Sequence, residues 1–276
     1  MAKHPAEVFG YPIWVNTTEA QTARDRHHCP FANKTCDKKT RLIDYSMGVC
    51  SVQYGENIIA LSPNRFLQDN IVFYDIADHH FNDRNNLLVF SEVGLRRTGN
   101  FDFVMVRHRP LSSEIEDFVV IEFQTGQTTS TGRLVDALRD FMGGNNVEGE
   151  TYNFGLNMAD IWKRSFTQIL NKGIVLENWG HKIYWVVQEP VYQNLIDRYN
   201  LHGMRYLEDH STRFAIYDLR REDNKYELFQ TRIESSTIDD LFYAFRNNPK
   251  IPSKDDFIRK LKGKIQRNAH LQLDLR

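Results

Sequence analysis

The chain has 276 residues, of which 41% are hydrophobic and 12% aromatic, and this composition excludes a disordered protein. Its formal net charge of −1 excludes a uniformly basic molecule, so any binding to nucleic acid must use a local basic surface. No apolar run approaches the ~20 residues needed to cross a bilayer, and the segment MAKHPAEVFGYP lacks the apolar core of a secretion signal. The expected location is therefore the cytoplasm, with no membrane contact.

The first 65 residues are predicted to form an N-terminal segment, followed by a core that covers residues 66–276. A helix is expected over Thr17–Arg26, because Thr17 or Thr18 can cap it and Glu19 lies near its positive end. Ser51–Arg65 is expected to hold one or two strands that close the segment.

All three cysteines lie between these two elements, at Cys29, Cys36 and Cys50, next to His27 and His28. An odd number of cysteines in a cytoplasmic chain argues against a disulfide framework. Three thiols within 22 residues predict instead a metal-binding module, with iron or zinc as the metal. His27 shares a side with Cys29 in an extended backbone, which favours it over His28 as the fourth ligand. Three free buried cysteines are the alternative, because the spacings do not match the usual CxxC pattern.

Two strands are predicted in the stretch Gly99–Gly132, over FDFVMVRH and DFVVIEFQ. The apolar run Val119–Ile121 indicates a strand buried on both faces, which should carry Glu122 only if that carboxylate has a cation or a partner. Because strand side chains repeat every two residues, Gln124 shares the side of Glu122. Asp102 on the neighbouring strand can bring a second carboxylate to that side.

Two convergent carboxylates at a strand end predict an oxygen site for Mg²⁺. Glu92 follows another apolar strand run, Leu87–Leu95, and can reach the same cation from a different element. The alternative is that these acids are polar strand edges that pair with the available arginines, Arg107, Arg109 and Arg133.

Helices and strands alternate in the rest of the chain. Amphipathic helices are expected over residues 133–142, 158–170, 190–199, 237–246 and 253–267, and strands over 182–187, 214–219 and 226–233. This order predicts an α/β (α+β) fold, in which helices flank a mixed central sheet and the N-terminal metal-binding module is an appendage.

The central stretch resembles the PD-(D/E)XK nuclease signature. Nineteen residues separate Asp102 from the sequence Glu122-Phe123-Gln124, and Gln124 stands where that superfamily usually has lysine. The segment HCPFANKTC followed by GVCSV, together with EFQTGQTTSTG, resembles type II restriction endonucleases of the NotI and EagI type. The resemblance spans residues 7–142.

This resemblance implies a restriction-endonuclease-like core and a homodimer that cuts double-stranded DNA at a palindromic, GC-rich sequence, within a prokaryotic restriction-modification system. It implies that Asp102 and Glu122 bind catalytic Mg²⁺, that Gln124 takes the place of the catalytic lysine, and that Glu92 is an additional acidic residue. The cysteine block would correspond to a structural metal module beside the DNA, which is iron-bearing in relatives. Only three thiols are present, so the fourth ligand stays open.

Two other functions fit the same residues. A sequence-specific DNA-binding protein without catalysis would use the metal module and the basic loops alone. A repair nuclease would keep the carboxylates but have no fixed target sequence. Incubation of plasmid DNA with Mg²⁺ separates the three, since only a site-specific enzyme produces discrete fragments.

Overall fold

The structure of the protein, a computed structural model, describes residues 1–202 and 204–267. Its strands in chain order are β1 (Lys3–Val8), β2 (Tyr11–Pro12), β3 (His28–Cys29), β4 (Lys34–Thr35), β5 (Val49–Tyr54), β6 (Asn57–Ala60), β7 (Leu87–Leu95), β8 (Gly99–His108), β9 (Ile115–Gln124), β10 (Thr128–Thr129), β11 (Gly155–Leu156), β12 (Lys182–Gln188), β13 (Thr212–Arg221) and β14 (Tyr226–Ser236). Its helices are α1 (Thr18–Asp25), α2 (Ile71–Phe81), α3 (Thr131–Met142), α4 (Met158–Gln168), α5 (Ile174–Asn178), α6 (Glu189–Tyr199), α7 (Ile238–Arg246) and α8 (Lys254–Gln266). A 3₁₀ segment covers Pro63–Asn70, and a π turn covers Ile169–Gly173.

Six strands form the central sheet, in the order β14-β13-β12-β9-β8-β7. Strands β7, β8 and β9 are consecutive and antiparallel, whereas β12 and β13 continue the sheet parallel to β9. Strand β14 closes the sheet antiparallel to β13. Helices pack on both faces of this sheet, so the predicted mixed sheet flanked by helices is confirmed.

Strand β9 sends alternate side chains to the two faces of the sheet, as a strand buried on both sides must. Val119 and Ile121 pack in the cluster that contains residues of α2, whereas Val120 packs with residues of α3, α4 and α6. Glu122 and Gln124 follow the period of Val120 and therefore share its face. This face brings α4 next to the two polar side chains.

The N-terminal segment builds a second sheet, in the order β2-β1-β5-β6. A buried network around Arg65 joins this sheet to the central one. The Arg65 Nε lies 2.8 Å from Glu7 Oε2 on β1, and the other guanidinium nitrogens donate to Gln68 Oε1 and to the backbone oxygen of Tyr226 on β14. The division between residues 1–65 and 66–276 stays a prediction, and these contacts cross it.

Local sequence signals predicted where the helices begin, whereas one helix ends differently from the prediction. Thr17 caps α1, because its side chain accepts a hydrogen bond from the Ala20 amide at 3.3 Å, as predicted. The helix expected over residues 158–170 is α-helical only to Gln168, and the next five residues form the π turn. A π turn adds a residue to one turn of the helix, which the 3.6-residue apolar period does not reveal.

Candidate active site

An open cleft of about 330 Å³ lies where β7, β8 and β9 approach α4. Its walls include Glu92, Asp102 and Gln124 from the three strands and Arg164 and Gln168 from the helix. Each strand of the antiparallel meander thus contributes at least one polar side chain to the same opening.

Asp102 and Glu122 come from adjacent strands and are linked through each other's backbone. The Phe123 amide donates to Asp102 Oδ2 at 2.9 Å, and the Asp102 amide donates to Glu122 Oε1 at 3.4 Å. Glu122 is only 1% exposed. The two acids predicted from the sequence are therefore neighbours, and their register fixes both carboxylates close to the cleft.

Glu92 reaches the cleft by leaving the regular strand geometry. The residues on either side of Glu92 keep the same register with β8: Ser91 lies opposite Phe103, and Val93 lies opposite Phe101. Glu92 itself has a φ of +54°. A left-handed backbone is uncommon for a residue other than glycine and costs on the order of 1–3 kcal/mol, and such strain concentrates at functional sites. Its negative charge also contributes to raising the pKa of Asp102.

Gln124 is held by two partners from α4. Ser165 Oγ donates to Gln124 Oε1 at 2.7 Å, and Gln124 Nε2 donates to Gln168 Oε1 at 3.2 Å. These two contacts hold the Gln124 amide in place between Ser165 and Gln168. Gln124 is therefore a well-oriented neutral group at the cleft, and it does not carry a charge.

Lys172 was not foreseen from the sequence, and the structure places it against Glu122. Its Nζ lies 2.7 Å from Glu122 Oε1 and 2.6 Å from the backbone oxygen of Asn100, and the residue is 4% exposed. A signal existed, because the buried residues Ile161, Ser165 and Ile169 precede it at intervals that place position 172 on the inward face. A lysine on an apolar helical face indicates a buried ion pair.

The two carboxylates are buried with too little positive charge to stabilise both in the ionised form. Burial, followed by the like charge of Asp102, raises the pKa of Glu122 to about 7, although Lys172 opposes the shift. Burial also raises the pKa of Asp102, and the Phe123 amide and Lys172 oppose it. Glu122 Oε2 is buried and has no hydrogen-bond partner among the described residues. A divalent cation would satisfy this oxygen and relieve the repulsion between the acids, so the donor set fits Mg²⁺, which is typically bound through one or two carboxylates and several waters.

The cysteine module predicted from the sequence is not supported by the side-chain arrangement. All three cysteines are free, with Cys29 and Cys50 buried and Cys36 partly buried. The proposed fourth ligand, His27, packs its ring between Phe9 and Tyr45, with 5.2 Å between ring centroids on each side.

Within residues 1–202 and 204–267, no group of three or more His, Cys, Asp or Glu side chains is arranged to hold a metal ion. This result covers the predicted ligands Cys29, Cys36, Cys50 and His27, and it also covers Glu92, Asp102 and Glu122 as a group of three. The strand-spacing argument that selected His27 assumed an extended backbone, whereas His27 has φ +50° and its ring is stacked between aromatic side chains. The fold of this segment also includes the short pairing of β3 with β4.

A mixed sheet that presents neighbouring carboxylates to an open cleft is typical of hydrolases that cleave phosphodiesters with a divalent cation. The family model described as "Restriction endonuclease NotI" matches residues 7–230, which is most of the chain. The chain belongs to the NotI restriction endonuclease family, and it is a type II site-specific deoxyribonuclease that acts on double-stranded DNA.

The family match extends well beyond the segment that carries the sequence resemblance. It includes α4, the π turn and β12–β13, and it ends within β14, before α7 and α8. A search among curated proteins returns no match. None of the helices in the described part of the chain combines the length and the apolar character that a membrane span requires.

Proposed function

We propose that this nuclease depends on Mg²⁺, which Asp102 and Glu122 bind, and that it cuts a palindromic, GC-rich DNA sequence as a homodimer. The observation that carries the metal site is the buried Glu122 Oε2, which has no hydrogen-bond partner in the described residues and belongs to a carboxylate beside a second one. Such a pair is stable in the ionised form only if a cation joins it.

The metal supplies an activated water and neutralises charge on the phosphoryl oxygens and the departing 3′-oxygen. The residues of the chain provide position and selectivity. Gln124, fixed by Ser165 and Gln168, orients the attacking water through its amide. Glu92 adds its carboxylate to the wall of the cleft, opposite Asp102.

The homodimer and the palindrome follow from one argument. The described chain presents one set of these acids, so one subunit cuts one strand, and two strands require two subunits. A two-fold symmetric dimer reads a sequence with the same symmetry. A GC-rich target is part of the proposal because the sequence resembles enzymes of that group.

Digestion of a supercoiled plasmid of known sequence tests this function. In Mg²⁺ we expect a fixed set of fragments whose ends, once sequenced, share one palindrome; with chelator we expect no cleavage. A smear of products would favour a nuclease without a fixed site, and intact plasmid bound by the protein would favour a non-catalytic DNA-binding protein. Sedimentation of the protein with and without a duplex of the target sequence tests the homodimer.

The structural metal is the part of the proposal with the least support from the side chains. Burial, followed by the charge of Glu7, raises the pKa of the Cys50 thiol, and Cys29 and Cys36 lie near enough to add smaller contributions. Metal analysis of the purified protein decides the question: iron or zinc in a one-to-one ratio that is lost in Cys36→Ser supports the module. Absence of both metals removes it. A location in the cytoplasm of a prokaryote is likewise proposed from the resemblance.

A further inference from the structure

Lys172 is a buried cation that enters the candidate active site from behind the carboxylates. Its Nζ donates to Glu122 Oε1 and to the Asn100 backbone oxygen, at 2.7 and 2.6 Å. The same nitrogen lies 5.5 Å from the centre of the Phe101 ring, so the third N–H direction faces an aromatic neighbour. Every contact of this ammonium group is therefore directed at one carboxylate and at the strand that carries Asp102.

The π turn sets the position of this side chain. Lys172 lies within Ile169–Gly173, where the extra residue rotates the helix relative to its 3.6-residue period. Gly173 allows the turn to approach α7 closely, since a Cβ there would lie 2.5 Å from Ile238 Cδ1. Irregular turns of this kind occur often at functional sites, and this one carries the buried lysine that meets Glu122.

The two carboxylate oxygens of Glu122 have different surroundings because only one of them contacts Lys172. Oε1 is occupied by Lys172 and by the longer contact from the Asp102 amide. Oε2 is buried and has no protein partner among residues 1–202 and 204–267. The carboxylate is thus anchored through one oxygen, while the other oxygen has no partner in the described part of the chain, which is the arrangement that a metal ligand needs from its supporting residue.

We propose that Lys172 is a positioning residue, which anchors Glu122 through Oε1 so that Oε2 is held ready for the divalent cation, and which supplies the positive charge that neutral Gln124 lacks. This inference rests on the proposed metal-dependent cleavage and adds a residue to it. Lys172 acts through Glu122 and does not contact the phosphate, so its removal should weaken metal binding more than it slows the chemical step.

The affinity of the full-length protein for Mn²⁺, measured without DNA by the paramagnetic resonance of the free ion, tests this role. We expect Lys172→Met to weaken Mn²⁺ binding about tenfold or more, because loss of a supporting partner typically has that effect. Lys163→Met is the matched control, since Lys163 is exposed on α4, and it should bind Mn²⁺ like the wild type. Raising the Mg²⁺ concentration should recover part of the cleavage rate of Lys172→Met.

A double-mutant cycle separates positioning from a general structural role. In the Glu122→Gln background there is no carboxylate to position, so adding Lys172→Met should change Mn²⁺ affinity no further. The proposal is overturned if folded Lys172→Met binds Mn²⁺ as tightly as the wild type, or if the two substitutions weaken binding independently. Near-ultraviolet circular dichroism checks the fold.

If Lys172→Met does not fold, Lys172→Gln keeps a hydrogen-bond donor and is measured in its place. Failure of both variants to fold would show that the lysine is structural and would overturn the inference. A wild-type protein that binds Mn²⁺ but leaves DNA intact contradicts the proposed function, while the affinities still test Lys172. A wild-type protein that cuts DNA, paired with an unaffected Lys172→Met, contradicts only the role of Lys172.

Discussion

Two buried glutamates of this protein pair with a cation, and their surroundings differ. Glu7 and Glu122 are each 1% exposed. Glu7 uses both oxygens, because Arg65 Nε lies 3.0 and 2.8 Å from Oε1 and Oε2, and Ser51 Oγ donates to Oε2 at 2.7 Å. Arg65 completes its own set through Gln68 and the Tyr226 backbone.

Glu122 has one anchored oxygen, one oxygen without a partner in the described chain, and a second carboxylate beside it. Both pairs are buried charges, so burial alone does not distinguish structure from function. The two pairs differ in whether their hydrogen-bonding groups all have partners. The Glu7–Arg65 pair is complete and joins two sheets, whereas Glu122 keeps one oxygen without a partner in the described chain and lies next to Asp102, which lines the cleft. The following substitutions test this comparison, from the largest effect to the smallest.

Glu122→Gln should remove cleavage and leave DNA binding intact. A bound cation is worth several kcal/mol of transition-state stabilisation, so the rate in Mg²⁺ should fall about a thousandfold or more. Binding to the target duplex in Ca²⁺, measured by fluorescence anisotropy, should be close to that of the wild type. Glu116→Gln, exposed on the same strand, is the control. Wild-type cleavage by Glu122→Gln would remove this residue from the mechanism.

Arg65→Met should unfold the protein more easily without changing its chemistry. It leaves Glu7 as a buried charge without its partner, which costs about 3–5 kcal/mol in the free energy of unfolding. Urea denaturation measures this loss, and cleavage per folded molecule should be unchanged. Arg220→Met, which breaks exposed ion pairs, should leave the urea midpoint unchanged. A selective loss of cleavage in Arg65→Met would contradict the structural assignment of this pair.

The free energy of unfolding should depend on pH differently in the wild type and in Glu122→Gln. Because its pKa is raised to about 7 in the folded protein, the folded state binds a proton that the unfolded chain releases between about pH 4.5 and 7. The metal-free wild type should therefore gain about 1–3 kcal/mol relative to Glu122→Gln as the pH falls through this window. Urea denaturation at pH 5 and pH 7.5 measures the difference. Equal pH dependence of the two proteins would show that Glu122 is not held in the incomplete state described here.

Ser165→Ala should have the smallest effect. It removes the hydroxyl that donates to Gln124 Oε1, and a hydrogen bond of this kind contributes about 1 kcal/mol, or about a fivefold change in rate. Single-turnover cleavage measures the loss, with Mg²⁺ affinity expected to stay the same. Thr167→Ala, on the exposed side of the same helix, provides the reference. A loss of Mg²⁺ affinity would instead place Ser165 among the groups that support the metal.

The parts of the site that could be predicted from the sequence depend on local rules. The alternation of β9 and the apolar run before Glu122 indicated a carboxylate on a buried strand, and the neighbouring strand supplied Asp102. The order of elements gave the mixed sheet with flanking helices. The family could also be recognised from the sequence, because the motifs that carry the resemblance are short contiguous segments. They lie within residues 7–142, inside the range 7–230 that the family model matches.

The remaining features required contacts between distant parts of the chain. Lys172 meets Glu122 across 50 positions of the sequence, from within a π turn, and His27 packs its ring between Phe9 and Tyr45. Sequence alone determined the fold class, which follows from the order of the elements, and the placement of Asp102 and Glu122, which follows from the periodicity of two neighbouring strands. Only the tertiary structure decided which cation pairs with Glu122. The packing of α4 and α7 against the sheet fixes where α4 changes into the π turn, and therefore where the ammonium group of Lys172 lies.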